Sequence, residues 1–130
     1  MIDSLDTVTS TTVAAALDAL QLRQQSIAAN LANAGSAGYV SQNVSFEAAL
    51  LQALESDPEG SKSASLGKLG EFRDSLKDGA YTQKAAKTGV EIDLEMVRLN
   101  ETVIQYQALI QGLGKYGSLA RMAISGEVKG

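Results

Sequence analysis

The chain has 130 residues, a net charge of −4 and a pI near 4.7, with its eleven Lys and Arg scattered along it, so a nucleic-acid partner, which needs a concentrated basic face, is not expected. It has no Cys and no His, which removes disulfides, thiolate metal sites and the commonest transition-metal ligand; no cofactor or metal is expected. The 45% apolar content is inflated by alanine, with six aromatic residues and no Trp, so bulky side chains are scarce for a self-sufficient core and elongated helices that bury stripes against partners are favoured.

Met1-Ile2-Asp3-Ser4-Leu5-Asp6 is acidic where a secretory signal is positive, so a cleaved signal peptide is not expected, and no stretch of about 18 apolar residues is present to cross a bilayer. The first element reads as a helix over 7–34, starting within the hydroxyl-rich Thr7-Val8-Thr9-Ser10-Thr11-Thr12, whose side chains suit the capping of free N–H groups. Val13, Leu17, Leu20, Gln24, Ile27 and Leu31 recur at alternating steps of four and three, one narrow seam interrupted only by Gln24. Gly35 suits the left-handed position that ends many helices, and 35–38 reads as a turn.

A turn and short helix span 35–56, with Phe46, Ala49, Leu50, Ala53 and Leu54 on one face. The helix stops at Ser56-Asp57-Pro58-Glu59-Gly60. Residues 57–90 are polar and rich in Gly, Ser and Lys; they read as a loose connection, open to a hairpin around Asp78-Gly79 or a helical turn through Leu69, Phe72 and Leu76. The last element, 91–126, holds a helix from about Asp93 to Ile124, roughly 45 Å long. In it Met96, Leu99, Val103, Tyr106, Ile110, Leu113, Gly117, Ala120 and Ile124 keep the heptad step without a slip, while Leu109, Tyr116 and Leu119 add a second apolar flank, as if the helix met more than one neighbour. The expected fold is mainly α, one unit over 1–130: an elongated antiparallel, coiled-coil-like pair of N- and C-terminal helices, a short helix and a flexible middle.

Enzyme signals are thin. Ser65-Leu66-Gly67-Lys68 and Lys87-Thr88-Gly89 match two short elements of penicillin-recognising hydrolases, but those enzymes are about twice as long and carry a third element absent here. Glu91, Asp93 and Glu95 read as acids favouring the positive end of the last helix rather than as an acid/base pair. Gly60 and Gly67-Lys68 are wrongly spaced for a phosphate loop. Gly112, Gly114 and Gly117 each cost about 1 kcal/mol in a helix, so they mark either a bend or, as favoured here, a place where another backbone comes close. No small-molecule substrate is expected.

Ala29-Asn30-Leu31-Ala32-Asn33-Ala34-Gly35-Ser36-Ala37-Gly38-Tyr39 resembles the signature shared by flagellar rod and hook proteins, approximately A-N-N-x-A-N-x-x-T-P-G-Y. Asn30, Ala32, Asn33, Gly38 and Tyr39 match; Leu31 replaces the second Asn, and Ser36-Ala37 replaces Thr-Pro. Residues 42–50 and the stretches 92–101 and 105–109 are similar to segments of the same family, so the likeness covers about residues 10–55 and 90–125. Small size and Gln105-Tyr106-Gln107-Ala108 lie nearest the proximal-rod members. The resemblance implies a non-enzymatic subunit of the periplasm-spanning rod, its terminal helices stacked with copies of itself and other rod subunits. It also implies delivery by the flagellar type III export apparatus without a cleaved signal, and contact with other basal-body proteins. A soluble helical adaptor that binds one partner transiently is the rival reading.

Overall fold

The computed structural model describes residues 2–55 and 61–125. Four helices and two short strands follow in the order α1 (Ile2–Ala32), β1 (Gln42–Val44), α2 (Glu47–Glu55), α3 (Lys62–Lys77), β2 (Thr82–Lys84) and α4 (Ile92–Ser125). The protein is mainly helical, its long terminal helices packed together with a short strand pair between them. Asn30, near the end of α1, touches Glu95, near the start of α4, so the two helices run antiparallel.

Helix α1 begins before the hydroxyl-rich segment, which does not cap it. Ser10 Oγ and Thr12 Oγ1 instead donate to the carbonyls of Thr7 and Val8 one turn back, at 3.2 and 2.7 Å, the bond such residues make when they sit inside a helix. Gly35 does not take the left-handed conformation. The exit from α1 is tied by the Asn33 amide and side chain, both donating to Ala29 O, and the left-handed residue is Gly38 at φ 77°, where the missing Cβ removes the steric cost.

The segment read as a loose connection builds much of the core. Helix α3 is opened by Ser61, in extended conformation, whose Oγ accepts from the Ala64 N–H, and it ends in a turn completed by Gly79 at φ 81°. Leu69, Phe72 and Leu76 lie on one face and are buried with Ala15, Ala19 and Leu20 of α1. Burial of side chains this size stabilises by about 1.5–3 kcal/mol each. The alanines at 15 and 19 keep the α1 surface low where α3 lies across it, and Arg73 reaches over to Asp18 at 2.6 Å. Phe72 also stacks on Tyr81, with centroids 5.2 Å apart, and meets the edge of Phe46 at 6.4 Å. Three apolar residues at helical spacing therefore outweigh a Gly/Ser/Lys background.

Strands β1 and β2 pair antiparallel, Gln42 with Lys84 and Val44 with Thr82. The Ser45 N–H donates to Tyr81 O and the Ala85 N–H to Ser41 O, extending the ladder at both ends. This small ribbon ties the turn after α1 to the approach to α4, and the Gly89 N–H to Tyr39 O bond adds a further tie.

Along α4, the side facing α1 is Glu95, Leu99, Thr102, Tyr106, Leu109 and Leu113, stepping by four and three; Glu95 and Thr102 are buried and the other four are half-buried. Leu99, Tyr106 and Leu113 belong to the expected seam. Met96 and Ile110 do not: they are 44% and 47% exposed, and Val103 is half-buried. The phase error arises because the inward positions beside Met96 and Val103 hold an acid and a hydroxyl, Glu95 and Thr102, which a hydrophobic pattern does not count, while beside Ile110 the inward position is Leu109 of the second flank. In α1, Leu20 and Ile27 are buried while Val13, Leu17, Gln24 and Leu31 are only partly so. The side chains of Tyr116, Leu119, Ala120 and Ile124, and the turn at 56–60, lie outside the described residues.

Candidate functional site

Asn30 and Tyr39 meet in one polar cluster. Asn30 is fully buried. Its Nδ2 donates to Gln42 O at 2.7 Å and to Glu95 Oε2 at 3.0 Å. Its Oδ1 accepts from Tyr39 OH at 2.8 Å and from the Gln42 N–H at 2.9 Å. One amide thus uses both donors and both lone pairs to hold the turn, the first strand and the last helix together. Glu95, 3% exposed, accepts from Arg98 Nη1 at 2.7 Å on its other oxygen, and Thr102 Oγ1 donates to Arg98 O. Among the described residues no buried side-chain polar atom lacks a partner.

Positions 30, 38 and 39 act together: the left-handed Gly38 turns the chain so that Tyr39 comes back over Asn30. Asn33 stays outside the cluster, bonded to its own helix. Glu95, in the first turn of α4 with Asp93, gives one carboxylate oxygen to Asn30 and the other to Arg98. Ser65 and Lys68 lie on α3 with Lys68 3.6 Å from Glu71 on an exposed face, and no hydrogen bond joins them among the described residues.

Arg23 forms a second junction that the sequence reading missed. Its Nε and Nη2 donate to Val44 O, its Nη1 and Nη2 clasp the Glu47 carboxylate at 2.8 and 2.7 Å, and its guanidinium lies 4.6 Å from the Phe46 ring centroid. The Arg23 bond holds the Glu47 carboxyl below its ordinary value of 4.5, against the opposing effect of burial. Arg23 sits next to Gln24, the polar interruption of the α1 seam; a cation at the border of an apolar stripe is the signal that could have pointed to it.

The outer face of α4 is left open. Val97 and Ile104 are 52% and 65% exposed; with Met96 and Ile110 they share a face with the amides Asn100, Gln107 and Gln111 at 100° per residue. Between Glu101 and Lys115 no residue is charged. A groove lined by Val90, Ile92, Leu94 and Val97 continues this surface toward the start of the helix. Gly112, Gly114 and Gly117 lie within unbroken α4, and a Cβ added at any of them would meet nothing within 4 Å.

Such an arrangement can bind a long complementary surface; among the described residues no group of three or more acids could hold a metal ion, and no helix is long and apolar enough to cross a membrane. No family model, curated protein or solved structure matches the chain.

Proposed function

We propose that the chain is a structural subunit of the bacterial flagellar basal-body rod, of the proximal kind represented by FlgB, with FlgC the nearest related kind. In this reading it leaves the cell through the type III export apparatus and joins copies of itself and neighbouring rod subunits in the periplasm by helix packing. The observation that carries the reading is the charge-free run between Glu101 and Lys115 on an exposed helix face. A helix that faced only water would carry charges there, whereas an uncharged face with exposed Ile and Val marks a surface that is covered in use. The signature residues support it from another side: Asn30, Gly38 and Tyr39 fix the turn that sets α4 against α1, the helix pair a rod subunit stacks.

The test is deletion of the gene in the bacterium that carries it, with a plasmid copy restored in parallel. A rod subunit predicts loss of motility and no rod in isolated basal bodies, both recovered with the plasmid. Normal basal bodies in the deletion strain would refute the proposal, and filaments assembled at reduced number would favour an adaptor.

A further inference from the structure

We infer that α4 pairs with α4 of a second copy of this chain, antiparallel, about a two-fold axis between Val103 and Ile104. The open face is self-complementary in that arrangement, and the flanking charges select its register. With residue numbers across the interface summing to 207, Val103 meets Ile104 of the other copy, Asn100 meets Gln107, and Val97 meets Ile110. Each contact occurs twice, as an isologous interface requires. In these three pairs aliphatic groups face aliphatic groups, and amides, which donate and accept, face amides; Met96 lies across from Gln111, whose methylenes it can pack against.

Charge selects the direction. Asp93, two turns before the uncharged run, and Lys115, at its end, lie on the same flank of α4, both exposed. In the antiparallel pair Asp93 of one copy comes beside Lys115 of the other, twice; a parallel in-register pair sets Asp93 against Asp93 and Lys115 against Lys115. Opposite charges at the rim steer the encounter and like charges oppose it. The glycine at 114 leaves a low surface opposite Asp93, with nothing of its own chain within 4 Å. The contact runs from Asp93 to Lys115, about 33 Å of helix. It uses the face assigned above to assembly, so the free subunit shields that face in solution; the pairing itself rests on the stripe and not on the rod.

The chain has no cysteine, which gives a direct test on the full-length protein. Ile104→Cys should form a disulfide-linked dimer under mild oxidation, because residue 104 lies next to the two-fold. Val97→Cys should not, since two copies of residue 97 are 13 positions apart across the interface, about 20 Å; a mixture of Val97→Cys and Ile110→Cys chains should cross-link as a heterodimer. Ile104→Lys, at a largely exposed position that leaves the fold intact, should raise the dimer dissociation constant in sedimentation about a hundredfold by setting like charges at the axis. Lys115→Asp should weaken the dimer and Asp93→Lys with Lys115→Asp should restore it. A protein monomeric at all concentrations, or Val97→Cys cross-linking as readily as Ile104→Cys, would overturn the inference.

Discussion

Replacing Asn30 with Ala removes four hydrogen bonds at a fully buried position. Each is worth about 1 kcal/mol net, and the groups left behind lose more where water cannot reach them. The Gln42 N–H and carbonyl and the Tyr39 hydroxyl lose their bonds to the amide, and Glu95, 3% exposed, keeps only Arg98. Stripping one partner from a buried charge costs about 3–5 kcal/mol; with Arg98 retained, the lower part of that range is the estimate for the whole substitution. At about 4 °C per kcal/mol for a domain of this size, the melting temperature should fall by roughly 12–16 °C. Asn33→Ala is the control, because Asn33 makes one bond within its own helix and should cost less than about 1 kcal/mol. Urea and thermal melts followed by circular dichroism read both variants. If Asn30→Ala costs no more than Asn33→Ala, the clamp does not hold the helix pair and the reasoning fails.

Phe72→Ala should destabilise by about 3–5 kcal/mol, since Phe72 joins α3 to Phe46 and Tyr81, whereas Ser65→Ala in the same helix should leave both stability and motility unchanged; urea melts and swimming assays separate the two. The folded Glu47 carboxyl binds its proton less tightly than the unfolded one, so its ion pair contributes fully above the ordinary value of 4.5 and is lost as pH falls through the lower folded value. With the carboxylate largely exposed, that contribution is a few tenths to about 1 kcal/mol, and the gap between Glu47→Gln and the unaltered protein in urea melts should close in acid. Gly114→Leu, alone or with Gly112→Leu, meets open space in the chain and should give equal or higher helicity by circular dichroism; if another subunit's backbone approaches there, the variant stays soluble and fails to assemble, and full motility of the double variant would rule that contact out.

The terminal helices were legible because long heptad runs without Pro leave few alternatives, and α4 was expected within a residue or so of its observed ends. Its rotation was harder to read. Hydrophobic periodicity placed Met96 and Ile110 inward, while the inward positions beside Met96 and Val103 are held by Glu95, which bonds Asn30 65 residues upstream and Arg98 three residues on, and by Thr102, which bonds the Arg98 carbonyl. No local pattern carries the Asn30 contact that buries Glu95. Helix α3 was open in the sequence only as a helical turn through Leu69, Phe72 and Leu76, one of two alternatives, because what makes these residues a core face is the low alanine surface at 15 and 19, a tertiary fact. Asn30, Gly38 and Tyr39 were singled out by resemblance, and the geometry gives their joint physical role. Arg23 carries no motif, and its contacts with Val44 and Glu47 are made only after the chain turns back on α1.

The central claim, that this chain is built to become part of a larger helical assembly, is tested most directly by quantitative mass spectrometry of hook–basal bodies purified from the bacterium that carries it, with an uncharged-to-charged variant such as Ile104→Lys in parallel. The unaltered chain should be present in the purified particles at a fixed ratio to the other rod subunits, and the variant should be expressed but missing from them. Particles complete in every other rod component and free of this chain would contradict it.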